Sequence, residues 1–178
     1  MTKNQEYMKI KEIIRISIND RIKNEFEAAY IYLGMAAWFE STPYLGFAKW
    51  MRGKAIEKIE QAMKMFNYLV DRNSQIDLAS ISHPQCIYTS PLETFEEALK
   101  NETKITTSIH NLYTLTLKEH DYESQEMLLW FIKEQTEEER IITDIIDKIK
   151  SINNRPENML IVDCIVGEMA EKKIIRKK

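Results

Sequence analysis

Three carboxylates fall on helix faces that are otherwise apolar. Glu25 follows Ile22 by three residues and precedes Ala29 by four, on a stripe that runs through Ile18, Ile22, Ala29, Leu33 and Ala36. Glu102 interrupts Phe95, Leu99, Ile105, Ile109 and Leu112 in the same way, and Glu138 joins Phe131, Ile142, Ile145 and Ile149, with Gln135 three residues before it. An ionised carboxylate is costly to bury alone, so inward acids on separate helices require a cation, protons or water. Their oxygens suit hard cations such as iron, manganese or magnesium. The competing reading is that these acids are half-exposed, or neutralised by a buried basic residue.

The elements that must carry these residues are helices. The 178 residues include only 4 glycines and 4 prolines, which disfavours all-β folds and glycine-rich phosphate loops. Three prolines stand where helices should begin, at Thr42-Pro43, Ser90-Pro91 and Arg155-Pro156. Ser90-Pro91-Leu92-Glu93 also fits a capping box. Helices are predicted over about 10–40, 43–72, 91–119, 122–152 and 157–170, with a polar break at Glu119-His120-Asp121. The joints between the first and second pair are short, which makes each pair antiparallel neighbours, whereas residues 73–90 form a long connection with little periodicity. The pattern predicts an all-α protein, a four-helix bundle with one long crossover and a short fifth helix. The whole chain, 1–178, is read as one domain.

Composition narrows the function classes. Apolar residues make up 44% and charged residues 30%, enough to fill a core and too apolar for a disordered chain. The net charge of -3 provides no global field for nucleic acid or an anionic membrane. No stretch has the length of an apolar membrane span, and Met1 to Glu12 lacks the apolar core of a secretory signal. A soluble, cytoplasmic protein is expected. Cys86 and Cys164 have no metal-ligand spacing and read as free thiols. The basic tail Lys172 to Lys178 reads as a solvated terminus.

The segment Asn24-Glu25-Phe26-Glu27-Ala28-Ala29-Tyr30-Ile31-Tyr32-Leu33-Gly34-Met35 resembles the first-helix motif of the ferritin family, specifically of bacterial non-haem ferritin subunits. The resemblance implies that Glu25 is an iron ligand and that Tyr32 lies beside a di-iron pair. Glu102 matches the family's inward Glu on the third helix. The run Trp130-Phe131-Ile132-Lys133-Glu134-Gln135-Thr136-Glu137-Glu138-Glu139 is similar to the one that supplies a Gln and a Glu near the metals, here Gln135 and Glu138. Asn158-Met159-Leu160-Ile161-Val162-Asp163 resembles the fifth helix that lines the fourfold channel, which implies a 24-mer shell.

The second helix departs from that pattern. Aligning Trp50-Met51-Arg52-Gly53-Lys54-Ala55-Ile56-Glu57 places Lys58 and Gln61 at the positions of the bridging Glu and the His ligand. A protonated Lys has three donors and no lone pair, so it repels Fe(II) and acts as an internal counter-ion, with Glu25 or Glu138 as the expected partner. None of His83, His110 and His120 falls on the missing position. The same exchange distinguishes the non-catalytic light chains of animal ferritins.

The four acids of the third iron site in bacterial ferritins carry over as Glu57, Glu134, Glu137 and Glu138. Glu60 extends an acidic lining one turn beyond Glu57, and the bland alternative is a solvated helix face. No haem is expected, because Ile59 stands where the haem-binding Met of bacterioferritins would be. The stripe Ile59, Met63, Phe66 and Val70 is open to two orientations, toward the core or toward a neighbouring subunit.

Three readings follow from the resemblance. The first is a homo-oligomeric iron-storage or mineral-nucleating cage subunit with an incomplete ferroxidase centre, able to co-assemble with an active subunit. The second is an active ferroxidase using Fe(II) with O2 or peroxide at a reduced site. The third is a purely structural cage whose inner charges are all paired.

Overall fold

The computed structural model describes residues 10–152 and 156–176, with the side chains of 156 and 172–176 excepted. The polar leading segment to Lys9, the Arg155 side of the third proline signal and the basic side chains of the tail lie outside the described residues. Five helices follow one another, α1 (Glu12–Glu40), α2 (Leu45–Asp71), α3 (Pro91–Glu119), α4 (Tyr122–Ser151) and α5 (Pro156–Arg176). No strand occurs among the described residues.

Local chemistry sets the boundaries. The Ser90 hydroxyl accepts from the Glu93 amide at 3.2 Å, and Pro91 occupies the first turn, where its missing N–H costs nothing. Glu93 reaches back one residue further than a standard box and accepts from both the amide and the hydroxyl of Thr89. Between α3 and α4 the chain reverses at His120, which takes a left-handed conformation (φ 55°), and Asp121 then caps α4 by accepting from the Ser124 amide at 3.0 Å. The expected start of α2 at Pro43 shifts to Leu45. The carboxylate of Asp163 on α5 accepts from the amides of Gly46 and Phe47 at 3.0 and 2.6 Å, so a distant helix supplies the cap that the local sequence lacks.

The bundle has two apolar halves. One holds Ala29 to Phe39 of α1, Phe47 to Ala55 of α2, Phe95 and Ala98 of α3, Ile142 to Ile149 of α4, and the inner face of α5. The other holds Ile14 to Ile22 of α1, Ala62 to Leu69 of α2, Ile105 to Leu112 of α3, and Leu128 and Phe131 of α4. This sharing of ends makes α1 antiparallel to α2, α3 antiparallel to α4, and α2 parallel to α3, so the connection between them returns along the bundle. It passes α1 at Gly34, where an added Cβ would lie 2.6 Å from the carbonyl oxygen of Gln85. Only glycine allows that approach.

One stripe assignment changes, and one stripe left open turns away from the core. Leu33 points outward and is 44% exposed, because the core position there belongs to Tyr32 and Met35. Ile59, Met63 and Val70 also stand on the outer surface, leaving Met51, Ala55, Ala62 and Met65 to carry the inner face of α2. No described helix is long and apolar enough to cross a membrane.

Candidate functional site

Between the two apolar halves lies a polar layer. Each of the four long helices contributes to it at mid-length, with Arg21 and Glu25 on α1, Lys54, Lys58 and Gln61 on α2, Glu102 on α3, and Gln135 and Glu138 on α4. All are buried, and Glu25, Lys58 and Glu102 are completely sealed from solvent. The acids were legible as breaks in apolar stripes, and the layer collects all of them.

Glu102 is the hub. Its Oε1 accepts from the Tyr32 hydroxyl at 2.6 Å, and its Oε2 accepts from Lys58 Nζ at 2.7 Å and from Gln135 Nε2 at 2.8 Å. Gln135 is held by a second bond to the Glu102 backbone carbonyl, 3.1 Å. Burial acts to raise the Glu102 carboxyl, but the charges of Lys58 and Lys54, with hydrogen bonds from Lys58 and Tyr32, outweigh it and hold the carboxyl down to about 2. The Tyr32 phenol moves the other way, well above its ordinary value, because it is buried and faces the negative Glu102. Its proton is therefore fixed on oxygen at neutral pH.

Lys58 also stands 4.0 Å from Glu25 Oε2, so of the two partners expected for it, Glu25 is a secondary one and Glu138 goes elsewhere. Glu138 accepts from Lys54, one turn before Lys58, and Lys54 also donates to Glu57 at 2.9 Å. Glu25 accepts from Arg21 across one turn of α1. Nε and Nη1 of Arg21 and Oε2 of Glu25 have no hydrogen-bond partner among the described residues.

Arg21 and Lys54 escaped the sequence reading. Their signal was spacing: Arg21 lies one turn before Glu25, and Lys54 one turn before Lys58 on the face that carries Met51, Ala55 and Ala62. Ammonium and guanidinium groups have no lone pair to offer a metal, so the nitrogen chemistry of this layer is donation to carboxylates.

Below the layer a cleft of about 540 Å³ opens between α2 and α4. Glu57, Glu60, Gln61, Glu134 and Glu138 line it. Glu137 is not part of it; its carboxylate turns outward to Arg140, 2.6 Å away at the surface. At the rim the Lys64 ammonium lies 4.2 Å over the Trp130 ring. No group of three or more His, Cys, Asp or Glu side chains is arranged to hold a metal ion among the described residues. Cys86 and Cys164 are free and exposed.

Residues 17–152 match the family model described as a ferritin-like domain. The chain belongs to the ferritin family. It is 31% identical over 168 residues to the bacterial non-heme ferritin of Campylobacter jejuni, covering 94% of this chain and 98% of that protein. It is 30% identical over 155 residues to a probable bacterial non-heme ferritin-like protein of Haemophilus influenzae, covering 87% and 94% of the two chains. Among solved structures, an open pore ferritin from the hyperthermophilic archaeon Archaeoglobus fulgidus superposes with a TM-score of 0.87 at 33% identity, over 89% of this chain and 98% of that one. The ferritin helices here thus enclose a layer in which basic side chains meet the inward acids.

Proposed function

We propose that this ferritin-family chain is an iron-storage subunit whose internal ferroxidase centre is incomplete, so that it holds and nucleates mineral rather than oxidising Fe(II) itself. The observation that carries the reading is the Lys58 ammonium 2.7 Å from Glu102 in a site sealed from solvent. A pair of Fe(II) ions, as substrate, would meet a positive charge without a lone pair at Lys58 and only a neutral amide at Gln61. Glu25, Glu102, Gln135 and Glu138 remain as carboxylate and amide groups, but each acid already faces a protonated side chain. Tyr32 stays beside them as a neutral hydrogen-bond donor.

In this reading iron is bound at the cleft, where Glu60 and Glu134 offer oxygen at an accessible surface, and Glu57, shared with Lys54, and Glu138 stand at its inner side. Glu137, paired with Arg140, contributes to the outer charge rather than to the cleft. The chain works as one unit within a cytoplasmic homo-oligomeric 24-mer, or in a mixed shell with a catalytically complete subunit. The exposed apolar groove formed by Tyr30, Leu33, Ile59, Leu78 and Ile81 supports burial against another subunit.

Stopped-flow mixing of Fe(II) with aerated homo-oligomer tests the reading. Oxidation should proceed at the rate of the protein-free buffer, followed by mineral growth that Glu57→Gln, Glu60→Gln and Glu134→Gln together slow. A fast, protein-dependent oxidation phase at stoichiometric iron overturns it.

A further inference from the structure

The polar layer contains three cations and three carboxylates whose side chains are no more than 4% exposed: Arg21, Lys54 and Lys58 against Glu25, Glu102 and Glu138. Glu57, 12% exposed, stands at the mouth of the cleft and shares Lys54. Among the six most buried charges the closest pairing is one to one. Arg21 serves Glu25, Lys54 serves Glu138 and Lys58 serves Glu102, each across a direct hydrogen bond. Buried charge is tolerated only when matched, so the sum over the layer, not any one residue, decides whether a further cation enters.

We infer that Arg21 and Lys54 are positioning residues that lock the layer as firmly as Lys58 does, so the number of divalent cations the interior takes is set by how many of these three charges are removed. The inference rests on the reading of an incomplete centre and deepens it. As it stands, the layer is neutral and takes none. Lys58→Glu with Gln61→His removes one positive charge and adds one negative charge. The layer then carries two net negative charges, which one divalent ion matches. Arg21→Gln and Lys54→Gln added to that pair bring four net negative charges, which two ions match. Reverting the ligand positions alone therefore cannot rebuild a two-metal centre, because Glu25 and Glu138 stay bound to Arg21 and Lys54.

Co(II), counted by its d–d absorption in a low-coordinate buried site and by the shift it causes in thermal midpoint, provides a readout independent of oxidation. The wild type is expected to bind no buried Co(II) and to keep its midpoint. The Lys58→Glu/Gln61→His variant should bind one per subunit, and the fourfold variant two. Both variants should be less stable in chelator and recover with metal, since binding and folding are coupled. Tight buried Co(II) in the wild type defeats both this inference and the reading beneath it. Two ions in the double variant, no increase in the fourfold variant, or a fourfold variant that stays unfolded in Co(II) defeats this inference alone.

Discussion

Replacing Lys58 by Met keeps most of the length and volume of the side chain and deletes its ammonium, with both the charge and the hydrogen bond to Glu102. The Glu102 carboxyl, held at about 2 in the folded chain against an ordinary 4.5, then loses its closest cation. That depression corresponds to roughly 3 kcal/mol of stability at neutral pH, and removal of one partner from a buried ion pair costs about 3–5 kcal/mol. For a chain of this length each 1 kcal/mol moves the thermal midpoint by about 2–4 °C, so a fall of roughly 10 °C at pH 7 is expected. The sign with pH follows from the direction of the shift. A carboxyl whose folded value lies below its unfolded value stabilises fully above about 4.5 and loses that contribution as pH falls toward about 2. Differential scanning calorimetry of wild type and variant from pH 7 downward should therefore show a gap that narrows in acid. Adding Glu102→Gln to Lys58→Met should recover part of the loss, because the amide keeps an acceptor for Tyr32 without leaving a buried charge. Equal midpoints at pH 7, a gap that widens in acid, or a double variant less stable than Lys58→Met would refute the argument.

Three further predictions concern the scaffold. Gly34→Ala places a methyl 2.6 Å from the Gln85 carbonyl oxygen and should destabilise by about 1–3 kcal/mol in urea titrations. Gly53→Ala, where a Cβ meets nothing within 4 Å, should stabilise α2 by about 0.5–1 kcal/mol, and a loss at Gly53 equal to that at Gly34 would contradict the packing argument. Asp163→Ala removes the acceptor for the Gly46 and Phe47 amides and should cost about 1–2 kcal/mol. It should also make α5 more sensitive to protease, and an unchanged digestion pattern would count against Asp163 as the clasp between α5 and α2.

Much of this fold was written in punctuation and periodicity. Ser90, Pro91 and the reversal at His120-Asp121 mark helix ends through hydrogen bonds that depend only on neighbouring residues, so they survive without knowledge of the fold. The start of α2 falls at Leu45, two residues past Pro43, where its cap, Asp163, lies 117 residues from Gly46 and no local signal encodes it. Glu25, Glu102 and Glu138 were visible because an acid amid Ile, Leu and Phe breaks a pattern, and Gln135 because it lies one turn before Glu138 on the same face. Lys54 was not, because α2 shows two apolar faces, one through Met51, Ala55 and Ala62 and one through Ile59, Met63 and Val70, and periodicity does not say which of them turns inward. The outward turn of Leu33 and Ile59 has a related cause: periodicity reports an apolar face without saying whether it meets the chain's own core or another surface.

The ionic layer also fixes how far the helices may slide. Oil against oil tolerates displacement along a helix axis, since one turn, about 5.4 Å, brings another apolar side chain into nearly the same place. The layer does not. A one-turn shift of α2 would carry one of Lys54 and Lys58 into the other's place, so only one of Glu102 and Glu138 would keep a partner and one sealed acid would be left without its lysine between the apolar halves. The polar band thus works as a notch that admits a single axial setting of the four rods.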